Sequence, residues 1–100
     1  MRYSVFFEER AAKELAKIGK TYQLLIKKKI EQLAADFESM SGNLKPLKGK
    51  YYYFRLRVGD YRIILHKDAR KIMITIVSVG HRWEVYKDLK IPAVKVIFLP

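Results

Sequence analysis

The feature that most restricts the fold is a pair of alternating apolar and polar stretches on either side of Gly59-Asp60. The stretches read YYYFRLRV before this pair and YRIILH after it. A Gly-Asp pair between two such runs is typical of a two-residue β-hairpin turn. We therefore predict a hairpin in which Val58 lies opposite Tyr61 and Arg57 lies opposite Arg62.

Period-two alternation sorts the hairpin side chains onto two faces. The first face is apolar and is predicted to be covered by helices; it carries Tyr52, Phe54, Leu56, Val58, Tyr61, Ile63 and Leu65. The second face is basic and aromatic; it carries Tyr51, Tyr53, Arg55, Arg57, Arg62 and His66. His66 is predicted to be solvated or to face a ligand on this side.

The second face points to an anionic ligand. Arg57 and Arg62 directly opposite each other destabilise a sheet unless an anion or a carboxylate lies between them. Arginines hold phosphates bidentately, and tyrosines stack on unpaired bases, so this face predicts a binding surface for single-stranded RNA. The alternative is a solvated strand face on which arginine stems cover tyrosine rings.

The N-terminal half predicts one strand and two helices. Residues 2–7, RYSVFF, are β-prone. A first helix then has Ala11, Ala12, Leu15 and Ile18 at helical spacing and ends at Gly19. Thr21 is the expected N-cap of a second helix, whose apolar stripe is Tyr22, Ile26, Ile30, Leu33 and Phe37. The short link predicts an antiparallel helix hairpin on one side of the sheet.

The remaining segments complete an α+β prediction. Residues 39–50 indicate a basic loop, and KIMITIVSV, residues 71–79, indicates a third strand of a β-meander. We expect an N-terminal strand, a helix hairpin and an antiparallel meander in one twisted sheet with helices on one face. Residues 1–90 are predicted to form this single domain, and the apolar residues 91–100 to form an added edge strand or a partner contact.

Composition narrows the class of partner. The 100 residues include 21 Lys and Arg against 10 Asp and Glu, giving a formal net charge of +11. This charge favours polyanionic partners such as nucleic acid. Cysteine is absent and there are two histidines, so neither a disulfide nor a metal site is expected. Because no apolar run approaches the roughly 20 residues of a membrane span and the N-terminus lacks a signal-like apolar region, a cytoplasmic protein is expected.

Three segments carry a family resemblance. LKG at 47–49, FRLRVGDYRII at 54–64 and VGHRWEVY at 79–86 together resemble the RelE/ParE superfamily of toxins from toxin–antitoxin systems, and most closely its RelE-like branch. The resemblance implies a ribosome-dependent endoribonuclease that cuts messenger RNA in the A site and is silenced by a cognate antitoxin. It implies cleavage by attack of a ribose 2′-hydroxyl on the adjacent phosphate, without a metal or other cofactor.

The same resemblance suggests roles for individual residues. Arg62 and Arg82 correspond to phosphate-stabilising arginines, and Tyr86 corresponds to the aromatic residue that orients or activates the nucleophile. His81 is a candidate for proton transfer, or else a strand-end histidine with a structural hydrogen bond. The predicted RNA contacts are Lys45, Lys48, Tyr53, Arg55 and Arg57.

Two departures from the family pattern keep other functions open. Tyr53 stands where RelE has a lysine, and Lys45 stands where related branches have a glutamate base. These departures keep open a non-catalytic protein that binds RNA or the ribosome. A ParE-like toxin of the same fold, which inhibits DNA gyrase without nuclease activity, is a separate alternative to the ribonuclease.

Overall fold

A computed structural model of the protein describes residues 2–40, 42–49 and 51–81. Within these ranges the elements are β1 (Ser4–Phe7), α1 (Glu9–Ala16), α2 (Lys20–Ala35), a 3₁₀ turn (Phe37–Met40), β2 (Leu44–Pro46), β3 (Tyr53–Val58), β4 (Tyr61–Asp68) and β5 (Met73–His81). The predicted roles of Arg82 and Tyr86, and the predicted extension at 91–100, lie outside the described residues.

The strands form one mixed sheet in the order β1-β5-β4-β3-β2. β1 is parallel to β5, and the other neighbours are antiparallel. The predicted hairpin register is confirmed: Val58 pairs with Tyr61 and Arg57 pairs with Arg62. Gly59 has a φ of 60°, the left-handed conformation that a tight turn requires and that glycine adopts without strain.

Both helices pack on one face of the sheet, as predicted. Ala11 and Leu15 of α1 and Ile26, Ile30 and Leu33 of α2 are buried in one cluster with apolar strand residues such as Leu56, Ile63, Leu65, Ile74, Ile76 and Val79. Neither described helix is long and apolar enough to cross a membrane. The helix layer leaves the other face of the sheet to the basic residues.

The helix boundaries differ from the prediction at the link. α2 begins at Lys20 with Gly19 as its N-cap, so the prediction that Thr21 caps this helix is wrong. The Gln23 backbone N–H already donates to the Gly19 carbonyl at 3.0 Å, and the Gln23 side chain donates to the carbonyls of Ala16 and Ile18. These bonds join the end of α1 to the start of α2 without a hydroxyl cap.

The predicted basic loop contains a strand. Leu44–Pro46 pairs with β3, placing Leu44 opposite Leu56 and Lys45 opposite Arg55. Three residues are too few to show alternation, and Pro46 removes a backbone donor, which suits only an edge strand. The correction matters because β2 brings Lys45 onto the sheet.

The second face is more buried than alternation indicated. Tyr53, 2% exposed, forms a small cluster with Ile64, Val77 and Leu47, and His66 beside it is 3% exposed. The prediction of a solvated His66 is therefore wrong, and the alternative that His66 faces a ligand stays a prediction. Tyr52 was placed on the helix-covered face, but it precedes β3, has a φ of 65° and is 64% exposed.

Candidate nucleic-acid interface

A basic cleft lies on the sheet face opposite the helices. It encloses about 330 Å³ and is lined by Gly42, Asn43, Lys45, Arg55, Arg57 and Arg62. Its four cations come from three neighbouring strands: β2, β3 and β4. Lys45 lies opposite Arg55, and Arg57 lies opposite Arg62. Four of the residues predicted from the sequence as RNA contacts or phosphate stabilisers are thus brought together.

The cleft has the electrostatics of an anion site. Among its described lining residues there is no aspartate or glutamate. Paired arginines on neighbouring strands repel each other, and an anion between them removes this penalty. Guanidinium groups also present several N–H donors in a plane, which matches the oxygens of a phosphate.

Arg62 is oriented by the hairpin turn. Its Nη1 donates to the carbonyl oxygens of Gly59 at 2.9 Å and Tyr61 at 3.0 Å. A guanidinium has five N–H donors, so others remain to meet a ligand while the turn fixes this edge of the group. Because the turn already restrains the Arg62 side chain, this side chain loses little conformational entropy when a ligand binds at the cleft.

Tyr53 and His66 lie beside the basic cleft but are not part of its lining. Their ring centroids are 4.8 Å apart. Burial raises the pKa of Tyr53 to about 12, so its hydroxyl remains protonated near neutral pH. The ring of Tyr53 is not an open stacking surface, and its predicted contact with RNA stays a prediction.

His81 is placed on the other side of the sheet from the cleft. It is the last residue of β5 and pairs with Tyr61, whose ring packs against the helix-side core. The His81 ring stacks on Tyr61 with centroids 4.7 Å apart and borders a separate cleft with Glu14 and Lys17. The structure does not bring His81 to the basic cleft, and its role in proton transfer stays a prediction.

Lys48 lies outside the basic cleft, and one wall of the cleft was not predicted. Lys48 is exposed in the turn before β3 and is not among the described residues that line the basic cleft. Sequence reasoning missed the Gly42-Asn43 wall of the cleft, where the Asn43 carbonyl accepts the Arg57 backbone N–H at 2.9 Å. The sequence gives little indication of this wall, because the residues around Gly42-Asn43 have no periodicity. Their position depends on the pairing of β2 with β3.

The fold and the cleft define a class: a small, basic α+β protein with a helix pair on one sheet face and a cleft lined by cations on the other. Residues 5–86 match the family described as "ParE toxin of type II toxin-antitoxin system, parDE". The chain belongs to the RelE/ParE superfamily of type II toxins.

Individual relatives are similar over most of their length. The chain is 34% identical over 92 residues to the "mRNA interferase toxin RelE" of Escherichia coli strain K12, covering 88% of this chain and 94% of that protein. A mutant of E. coli toxin RelE in the free state superposes with a TM-score of 0.74 at 30% identity, covering 97% and 99% of the two chains. The intact E. coli RelBE toxin–antitoxin complex gives a TM-score of 0.66 at 29% identity, covering 79% and 95%.

Proposed function

We propose that the protein is the toxin of a type II toxin–antitoxin system and acts in the cytoplasm as a ribosome-dependent endoribonuclease on messenger RNA. The single observation that carries the proposal is the basic cleft, which is lined by Lys45, Arg55, Arg57 and Arg62 and is large enough to admit a phosphate. The similarity to the E. coli mRNA interferase RelE supports the reaction type.

The proposed reaction breaks one phosphodiester bond without adding water. The ribose 2′-oxygen attacks the neighbouring phosphorus, and the bond from phosphorus to the 5′-oxygen breaks. A 2′,3′-cyclic phosphate and a 5′-hydroxyl result, because the proton lost from the 2′-hydroxyl is balanced by one delivered to the 5′-oxygen. The step builds negative charge on the phosphate oxygens, which positioned cations stabilise.

The cations of the basic cleft would supply that stabilisation. Arg62, held at the turn by two carbonyls, and Arg57 opposite it would bind the scissile phosphate, with Arg55 and Lys45 extending the positive surface. We retain Arg82 as a second phosphate-stabilising residue and Tyr86 as the residue that orients the nucleophile; both assignments rest on the family resemblance. The buried Tyr53, with its raised pKa, is not proposed as the base.

The test uses ribosomes programmed with a defined message. Purified toxin is added, and the message ends are mapped by primer extension. Arg57→Gln and Arg62→Gln are each expected to lower the cleavage rate roughly 10- to 100-fold, the range for losing a hydrogen bond to a charged group. Lys28→Gln, on the exposed side of α2, is the control and is expected to retain activity. Thermal melting of Arg62→Gln separates loss of chemistry from loss of the Arg62 bonds to the turn.

The family description also names ParE toxins, so DNA gyrase inhibition is the second candidate. Gyrase-dependent DNA breaks in cells that express the protein, with messages intact, would replace the ribonuclease proposal. Intact messages and intact DNA, with the protein still bound to ribosomes, would instead indicate a non-catalytic binding protein.

The proposed partner is a cognate antitoxin with an acidic segment. Such a segment would neutralise the basic cleft and exclude RNA from it. The outer edge strand β1, with Val5 37% and Phe6 44% exposed, offers an additional edge on which an extended segment can pair. Co-expression with the adjacent small reading frame should yield a complex that Arg57→Glu weakens and that Lys28→Glu does not.

A further inference from the structure

Another cleft, here called the Tyr52 cleft, lies at the end of the β3–β4 hairpin remote from its turn. It encloses about 320 Å³ and is lined by Tyr52, His66, Lys67, Asp68, Ala69 and Arg70. None of these residues lines the basic cleft, and none has a role in the proposed cleavage. The size is near the lower end of the range for small-ligand sites, which is suitable for one planar ring system.

Tyr52 presents an exposed aromatic ring at this cleft from a strained backbone. Its φ is 65°, a left-handed conformation that is rare for a bulky residue and is concentrated at functional sites. The Tyr52 carbonyl accepts the Lys67 backbone N–H at 2.8 Å, which ties this unusual conformation to β4. Tyr52 as a whole is 64% exposed, and its ring makes a tilted contact with the Tyr51 ring at 6.5 Å between centroids, so part of the ring is open to a ligand.

His66 adds unsatisfied hydrogen-bonding capacity to the same cleft. It is 3% exposed, and neither ring nitrogen has a hydrogen-bond partner within the part of the chain that the structure describes. A buried polar group without a partner is unfavourable unless something else satisfies it. Both nitrogens are covered, so a planar ligand with donors and acceptors on its edge would satisfy them by displacing a covering side chain.

The charged residues of the cleft favour a base over a phosphate. Asp68 lines the cleft, and its Oδ1 accepts the backbone N–H groups of Arg70 at 3.0 Å and Lys71 at 3.1 Å. A carboxylate repels phosphate but accepts the N–H groups of a base. The Lys67 ammonium lies over the Phe37 ring, 4.3 Å from its centroid, so Arg70 is the exposed cation of the lining, and its plane can stack on a base.

The basic cleft and the Tyr52 cleft both border the same face of β4. On β4, Arg62 and His66 lie on the same face because they are four residues apart. At about 3.3 Å per residue their Cα atoms are roughly 13 Å apart, within reach of a short single-stranded segment. Tyr53 and Ile64, buried between the clefts, form an apolar floor.

We propose that the Tyr52 cleft binds an unpaired RNA base near the phosphate held in the basic cleft, by stacking on Tyr52 and by hydrogen bonds to His66 and Asp68. The identification of RNA as the ligand rests on the proposed function. Stacking on Tyr52 anchors the base, and the hydrogen bonds at its edge favour messages whose base at that position fits the cleft.

The binding test uses a short fluorescent oligoribonucleotide with 2′-O-methyl groups, which binds but is not cleaved. Fluorescence anisotropy with the full chain is expected to show roughly tenfold weaker binding for Tyr52→Asn, since one base stack is lost. Tyr52→Trp, which keeps a flat ring, should bind within about twofold of the native protein. Asparagine tolerates a positive φ, so Tyr52→Asn should melt no lower than the native protein.

Tyr51→Asn is the matched control. Tyr51 is the preceding residue, is 87% exposed and is not among the residues described as lining the Tyr52 cleft. Its ring centroid lies 6.5 Å from that of Tyr52, so this control also reports whether the contact between the two rings, and not the cleft, holds the oligonucleotide. Its loss should change binding by less than about twofold. Equal losses of affinity for Tyr52→Asn and Tyr51→Asn, or no loss for Tyr52→Asn, would overturn the proposal.

Cleavage on programmed ribosomes separates this proposal from the proposed function. If the native protein cuts messages and Tyr52→Asn gives the same rates and the same distribution of cut sites, the base-binding proposal is wrong and the ribonuclease proposal stands. If the native protein cuts nothing but the oligonucleotide binds in a Tyr52-dependent way, the ribonuclease proposal fails and the base site stands.

Discussion

His66 makes the folded protein sensitive to acid. Burial lowers the pKa of its imidazole below the usual 6.5, and the nearby Asp68 opposes part of this effect. Below about pH 6.5 the unfolded chain therefore takes up a proton that the folded protein does not, so the unfolding free energy decreases as the pH falls. This contribution to stability is fully present above the pKa of His66 in the unfolded chain. It is lost as the pH falls toward the lower pKa of His66 in the folded protein.

Urea denaturation between about pH 5 and about pH 8 measures this contribution. His66→Gln removes the titrating group, so the native protein should lose more stability than this variant as the pH is lowered. His81→Gln alters the other histidine, which is exposed on the helix side, and it controls for the replacement of a histidine as such. Parallel curves for the native protein and His66→Gln would contradict the assignment.

Gly59 is needed both for the turn and for the packing of α2 against it. Its φ is 60°, and a Cβ at this position would lie 3.2 Å from Cε1 of Tyr22. Gly59→Ala should lower the unfolding free energy by about 1–2 kcal/mol from the left-handed backbone alone. Gly42→Ala is the control, because a Cβ there meets no atom within 4 Å. Urea denaturation of both variants checks the difference.

Helix α1 closes the edge of β5 beyond the end of β1. β1 pairs with β5 only as far as Ile76, and further along the strand Glu14 Oε1 accepts the Val79 backbone N–H at 2.8 Å and the Ser78 hydroxyl at 3.0 Å. Ser78 and Val79 are buried, so their donors have no access to water. One carboxylate thus replaces the missing strand neighbour.

Removing that carboxylate should therefore be costly. Glu14→Ala is expected to lower the unfolding free energy by about 1–3 kcal/mol, because it leaves buried donors unsatisfied. Glu14→Gln keeps an acceptor oxygen and should lose less. Glu9→Ala, in the first turn of the same helix, removes an exposed pair with Lys13 at 3.6 Å and should change stability by less than about 1 kcal/mol. Similar losses for Glu14→Ala and Glu9→Ala in chemical denaturation would show that the edge contact contributes little.

The β3–β4 hairpin shows what strand patterns predict well. Its register follows from a turn pair and two alternating runs, both of which are local in sequence. The exposure of Tyr53 does not follow, because Leu47 covers it from a segment whose place depends on β2 pairing with β3. Alternation fixes the face to which a side chain points, and it does not determine what lies over that face.

The candidate site divides in the same way. Arg57 opposite Arg62 was predictable from the turn, and it is the core of the basic cleft. The position of His81 was not predictable, because β5 continues two residues past its predicted end. Since side chains alternate between the two faces of a strand, the His81 ring then lies on the helix side, against Tyr61. The Tyr52 cleft depends on a left-handed backbone at a tyrosine, which no propensity rule predicts.

The charge of the whole protein sets how the proposed RNA binding responds to salt. A formal net charge of +11 attracts RNA from every side, whereas the basic cleft concentrates cations at one place. Each phosphate neutralised on a single strand contributes about −0.7 to the slope of log Kobs against log salt concentration. The slope therefore counts bound phosphates, and variants show which cations bind them.

Arg57→Gln should make that slope shallower by about 0.7 for a single-stranded oligoribonucleotide, because one phosphate contact is lost. Lys28→Gln removes the same charge from the exposed side of α2, on the opposite side of the sheet from the cleft, and should leave the slope unchanged. Anisotropy titrations at several salt concentrations measure both. If the two variants reduce the slope equally, RNA is held by the diffuse field of the molecule and the basic cleft is not its site. If only Arg57→Gln reduces it, the attraction is general but the contact is local, as cleavage at one phosphate requires.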